Sequence, residues 1–344
     1  VQQRHRSLIV SQRSPESARG LISVAPARLL GTLARHLEKP TLNAIVELQS
    51  ISKRFGDKVA VDAISLSIEP GTMFGLLGPN GAGKTSSIRM ITGITLPDTG
   101  TVRLFDQPFT RSALRRVGYL PEERGLYRKM LVHDQLTFMG QMHGLSQADA
   151  RARSQQWAGR LDIAEALSKK TEELSKGMQQ KIQFIATLLH EPEFIIMDEP
   201  FSGLDPVNAR LLEDTLLELK RSGRTILFST HRMDQVEKLC DSIALVHRGK
   251  IVLEGAVRTV KSRYPRERVL LVGTVDAALL ARHPAVADVK QFSGHSEILL
   301  NPGADPQALL RELVVGGAAL DRWDVQEPTL EEIFVRTVGG HVDA

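Results

Sequence analysis

The residues best equipped for chemistry are Gly78-Pro79-Asn80-Gly81-Ala82-Gly83-Lys84-Thr85, followed by a second hydroxyl at Ser86. Glycines at these spacings let successive backbone N–H groups turn inward around an anion, and a helix N-terminus adds its positive dipole end. Lys84 can then reach the outer phosphates of a nucleoside triphosphate, and the Thr85 hydroxyl can ligate Mg²⁺. Such a loop needs a strand before it and a helix after it. Met73-Phe74-Gly75-Leu76-Leu77 supplies the first pattern and Ser86 to Ile91 the second.

Further along, Phe194-Ile195-Ile196-Met197 is an apolar run that ends in Asp198-Glu199-Pro200. A carboxylate at the end of a buried strand can help to hold Mg²⁺, and the next one can polarise an attacking water. Between the two motifs, Leu174-Ser175-Lys176-Gly177-Met178-Gln179-Gln180-Lys181 opens a helical pattern through Leu189. After the carboxylates come Ser202-Gly203-Leu204-Asp205-Pro206 and Ser229-Thr230-His231.

In order and spacing these pieces resemble the P-loop, signature, D-loop and switch-histidine segments of ATP-binding cassette (ABC) ATPases, over about residues 44–255. The resemblance implies two cassettes paired head to tail with ATP between them. Ser175 and Gly177 would meet the γ-phosphate bound by the other chain. Glu199 would be the general base, Asp198 a Mg²⁺ partner, His231 the γ-phosphate sensor and Asp205 a link between the two sites. Phe55 matches the aromatic that stacks on adenine. Three positions depart from the family pattern. Glu122, in Gly118-Tyr119-Leu120-Pro121-Glu122-Glu123-Arg124, stands where cassettes carry a Gln near the metal, and Lys176 and Met178 replace a Gly and a Gln of the signature. An extra carboxylate there could strengthen metal binding, or oppose the γ-phosphate when no metal is present. The segments around Glu122, the signature and Glu327 to Phe334 are similar to the bacterial branch that drives drug, antibiotic or sodium export. That branch implies a separate membrane permease as partner and a place on the inner face of the cell membrane.

The elements that must position these residues follow from periodicity. Alternating segments at 45–51 and 63–68 precede the phosphate-binding loop, Thr101 to Phe105 follows it as a strand, and 132–170 reads as helical. Strand and helix patterns then alternate from Phe194 to about Leu253, which predicts an α/β P-loop NTPase fold with a parallel sheet. The expected cassette spans 44–264, with a helical subdomain over about 112–180. Beyond it, 265–344 reads β-α-β-β-α-β plus an amphipathic terminal helix, a ferredoxin-like α+β unit with no catalytic constellation.

Composition narrows the field. At 344 residues the chain has room for about two domains. No apolar run approaches the roughly 18 residues of a membrane span. The single Cys240 excludes an internal disulfide and suits a reducing compartment. The net charge of +4 belongs to the first 40 residues, which hold six Arg and Lys39 against Glu16 and Glu38, so the remainder is nearly neutral. The basic 1–43 segment has a composition shared by disordered extensions and organellar transit peptides, and Leu29 to Leu37 could form a short amphipathic helix. The nearly neutral remainder shows no basic run and argues against nucleic acid as a partner. The rival readings are a soluble ABC ATPase acting on ribosomes or nucleic acid, and an ATP-gated module without useful turnover. Clamp-type members separate the two nucleotide motifs by long coiled coils, and translation-factor members usually carry two cassettes. Neither feature is present here, and Glu199 and His231 argue against a module without turnover.

Overall fold

The computed structural model describes residues 44–123 and 125–339. The basic N-terminal segment, with its Leu29 to Leu37 helix expectation, lies outside the described residues. β1 (Val46–Phe55) folds back on β2 (Lys58–Ile68) through a two-residue turn at Gly56 and Asp57, where Gly56 adopts φ 56°. β4 (Thr99–Leu104) pairs with the other edge of β1 and β5 (Gln107–Pro108) with β4, which makes a four-stranded antiparallel sheet. Its alternating pattern buries Val46, Leu48 and Ile51 and leaves the opposite face polar.

The second sheet carries the chemistry. β3 (Met73–Leu77), β6 (Val117–Leu120), β7 (Phe194–Asp198), β8 (Thr225–Thr230), β9 (Ser242–His247) and β10 (Lys250–Ala256) line up in the order β10-β9-β3-β8-β7-β6. All pairings are parallel except that of β10, which turns back on β9. β3, β7 and β8 are buried along their whole length. That is why they read as unbroken apolar runs rather than alternations. The helices α1 (Lys84–Ile91), α5 (Pro206–Arg221), α6 (Met233–Leu239) and α7 (Val257–Ser262) connect or follow these strands. Between β6 and β7 the chain forms α2 (Val132–Met142), α3 (Gln147–Arg160) and α4 (Lys176–Leu188). A 3-10 segment at Arg111–Arg116 precedes β6, and these α-helices begin at Val132. Val117–Leu120, four residues too short to show a periodicity, is the edge strand of the central sheet.

The C-terminal unit consists of β11 (Arg268–Thr274), α8 (Ala277–Arg282), β12 (Val286–Gln291), β13 (Ser296–Leu300), α9 (Pro306–Val315), β14 (Ala319–Gln326) and α10 (Leu330–Gly339). Its sheet order β12-β13-β11-β14, antiparallel throughout, is the ferredoxin-like arrangement that the element order predicts. Val269, Leu271, Leu280, Ile298, Leu300 and Leu309 form its own core. α10 is different, because Leu330 and Ile333 are buried in the larger core that surrounds the central sheet. Among the described residues no helix is long and apolar enough to cross a membrane.

Candidate functional site: a triphosphate cleft at the strand ends

The C-terminal ends of four adjacent parallel strands, β3, β8, β7 and β6, each deliver one piece of the site. This is the place where open α/β sheets bind ligands. After β3, residues 78–83 loop over the start of α1. Gly78 adopts φ 147° and Gly83 φ 116°, and a Cβ on them would stand 2.2 Å from the Val246 carbonyl and 2.5 Å from the Ala60 carbonyl. Only glycine fits either place. Ala82 is buried beneath the loop, where its carbonyl accepts from Gly249 N–H at 2.8 Å. Lys84 is buried, and its Nζ donates to the carbonyls of Gly78 (2.7 Å) and Pro79 (3.2 Å). Burial pulls its pKa down, against the opposing fields of Glu199, Asp198 and Glu122.

Asp198 closes β7 and is 1% exposed; its Oδ1 accepts from Ser229 Oγ on β8, whereas Oδ2 has no partner. A buried carboxylate oxygen left unpaired beside a polar cleft is costly unless a cation or donor meets it. Glu199 sits in the left-handed region at φ 51°, which turns its side chain back towards β8. There Oε1 accepts from His231 N–H at 3.0 Å and lies 2.9 Å from His231 Nδ1, and Oε2 accepts from Thr230 Oγ1 at 3.3 Å.

A cleft of ≈ 470 Å³ gathers Phe55, Asn80, Gly81, Gly83, Lys84, Thr85, Ser86, Glu122, Asp198 and Glu199. Sequence reasoning missed Lys58 and Ala60, which complete its wall from the β1–β2 hairpin. The turn at Gly56-Asp57 was the available signal. Phe55 is 51% exposed at the end of β1, so it is a free aromatic face rather than a core residue. The donor set fits Mg²⁺. Thr85 and Asp198 both line the cleft, and no preformed cage of three or more His, Cys, Asp or Glu stands among the described residues. Mg²⁺ takes one or two protein ligands and completes its shell with phosphates and water.

The other expected residues lie elsewhere. His231 lines a neighbouring groove with Gly78, Pro79 and Asn80 rather than the cleft. Ser175 is exposed as the N-cap of α4, where its Oγ accepts from Met178 N–H, and Gly177 follows in the first turn. Asp205 caps α5 and accepts from the backbone N–H and side-chain amide of Asn208 and from the N–H of Val207, bonds that hold its carboxyl below the usual range. Neither helix N-terminus lines this chain's cleft.

The model of the ABC transporter family matches residues 61–202, and that of the C-terminal domain of DrrA1-3-like ATP-binding proteins matches 255–338. The chain is 39% identical over 295 residues to YhaQ of Bacillus subtilis (strain 168), described as an uncharacterized ABC transporter ATP-binding protein, a match that covers 86% of this chain and 99% of YhaQ. This chain belongs to the ABC transporter ATP-binding proteins. The Nod factor export ATP-binding protein I of Burkholderia thailandensis is 34% identical, over 86% of this chain and 97% of that protein. A solved ATP-binding subunit of an ABC transporter superposes with a TM-score of 0.60 at 29% identity, covering 64% of this chain and 92% of that one. The chain is thus an ATP-binding transporter subunit and an ATPase, with relatives of the export type. None of these relatives favours the ribosome or nucleic-acid reading.

Proposed function

We propose that the chain powers export through a separate membrane permease, as one of two paired cassettes on the cytoplasmic face of the cell membrane. One observation carries the pairing. The phosphate loop, Asp198 and Glu199 surround one cleft, while Ser175 and Asp205 cap helices that point outside it. A second copy, or a related cassette, then presents Ser175 and Gly177 to the γ-phosphate, where a helix N-terminus stabilises the anion.

In this reading Phe55 stacks on adenine, and the N–H groups around Gly78 to Ser86 and Lys84 hold the phosphates. Thr85 and Asp198 would hold Mg²⁺ with Glu122 beside them, and the ion would supply charge neutralisation to the bound phosphates. Glu199 takes the proton of the attacking water, and His231 senses the γ-phosphate and sets the carboxylate's orientation. Residues 44–264 act as the cassette and 265–344 as an accessory unit. An apolar groove of ≈ 460 Å³ beside the loop after β6, lined by Tyr127, Phe138, Met139 and Met142, supports transmission to the permease at this face.

Affinity purification of the tagged protein from gently solubilised membranes tests the reading. A polytopic membrane protein should co-purify in stoichiometric amount. Ribosomes or nucleic acid in its place would overturn it.

A further inference from the structure

β6 is the edge strand of the central sheet, so the carbonyls on its outer side have no neighbouring strand. They are met instead by side chains from α4 and from His190, two residues past its end. His190 Nε2 lies 3.0 Å from the Val117 carbonyl, Thr187 Oγ1 approaches that of Tyr119 at 3.4 Å while donating to Gln183 of its own helix at 3.0 Å, and Gln183 Nε2 donates to Pro121 at 2.8 Å and to Glu123 at 3.3 Å. The spacing has a geometric reason. Four residues of α-helix rise about 6 Å, close to the roughly 6.6 Å between alternate residues of a strand. A helix running antiparallel to an edge strand can therefore bring residues three or four apart to every second carbonyl. Gly118 permits the approach, because a Cβ there would stand 2.5 Å from the Thr187 carbonyl.

The two carbonyls held by Gln183 flank Glu122, whose side chain lines the cleft with Asp198 and Glu199. Gln183 is 5% exposed, and its own Oε1 is buried without a partner, so the amide is oriented by its donor bonds alone. An apolar side chain at 183 would remove that unpaired acceptor but leave both carbonyls unmet. The same helix begins at Ser175.

We infer that Gln183 is a positioning residue that clamps the Glu122 loop to α4, so that the Ser175 end of the helix and the Glu122 carboxylate move as one body. Displacement of α4 by a partner's nucleotide then changes the carboxylate environment of this chain's own metal. This rests on the functional reading above, and places regulation of the cleft in a residue that touches neither nucleotide nor metal.

The test uses the full chain with Mn²⁺ as probe, its affinity measured by electron paramagnetic resonance in the presence of a non-hydrolysable ATP analogue. Gln183→Met keeps the length and packing of the side chain and removes the donor. It should weaken Mn²⁺ binding about three- to tenfold, the scale of one hydrogen bond's worth of placement. Metal-free nucleotide affinity should stay unchanged. In a Glu122→Gln background the same substitution should have no further effect on Mn²⁺. Unchanged Mn²⁺ affinity, or an equal loss in both backgrounds, overturns the clamp even if thermal stability falls. Gln183→Leu, which also lacks a donor, gives the same readout should the methionine variant not fold. A wild-type chain that binds no analogue would sink the functional reading itself, which the variants alone cannot do.

Discussion

Glu199 Oε1 is held twice by one residue, by the backbone N–H of His231 at 3.0 Å and against its Nδ1 at 2.9 Å. The acid at the end of β7 is therefore aimed by the residue that follows β8. Both strands run parallel and adjacent, so the pairing of Asp198 with Ser229 fixes the separation of the two functional groups. Glu199→Gln keeps the shape and removes the base. Phosphate release should fall at least about a hundredfold while nucleotide binding persists. Steady-state hydrolysis at the wild-type rate would remove Glu199 from the mechanism.

Phe55 offers an exposed ring at the mouth of the cleft, with Lys53 Nζ 5.7 Å from its centroid. Phe55→Ala should weaken ATP about tenfold, the scale of a lost base–aromatic stack. Apo stability should change by less than about 0.5 kcal/mol, since the side chain fills no core. A stability loss without an affinity loss would mark Phe55 as structural.

Lys84 is an ammonium whose burial is only partly offset by the neighbouring carboxylates and two loop carbonyls. Lys84→Met should lower triphosphate affinity about ten- to a hundredfold, the range of charge-assisted bonds to phosphate. The unliganded chain should melt no lower than wild type, because a desolvated charge is removed. Calorimetry on both forms reads the two effects separately.

His190 stacks on His143 with ring centroids 3.8 Å apart, and burial, followed by the neighbouring His143 and Arg153, pushes its pKa down to about 4. Burial lowers that of His143 as well. The folded state thus keeps His190 neutral, whereas the unfolded chain takes up a proton below about 6.5. Stability should fall as pH drops from about 6.5 towards 4, by about 1 kcal/mol at pH 5 after allowance for the partly exposed ring. His190→Gln retains a donor for the Val117 carbonyl and should flatten this dependence. A melting temperature that declines equally in both chains over this range would assign the effect elsewhere.

Much of the site was legible because its pieces are local. The phosphate loop lies between a strand and a helix, and Asp198 and Glu199 end an apolar run, so their context can be read within ten residues. The β-α-β-β-α-β unit was legible for a similar reason, with Gly, Pro and Asp punctuating short alternating segments. What escaped was long-range. No local pattern says that β10 turns back antiparallel, that β6 is a strand, or that Gln183 reaches across 60 and more residues to Pro121 and Glu123. Lys58 and Ala60 enter the cleft through a hairpin whose registry with the phosphate loop depends on Gly83 lying against Ala60. Glutamines inside a helix look like surface until the strand edge that they satisfy is in place.

α10 joins the chain's end to its centre. Glu237 on α6 accepts from the Leu330 N–H with one oxygen and from Lys261 Nζ at 2.8 Å with the other, and Phe334 packs edge-on to His247. α6 in turn begins two residues after His231. The ferredoxin-like unit is therefore stitched at both ends to the body that holds the nucleotide, like a handle riveted twice rather than a tail hung from one point. A chain cut after Tyr264 would lose Leu330 and Ile333 from the main core and the brace on the helix that follows His231, so this unit cannot be trimmed away without loosening the support of the candidate site.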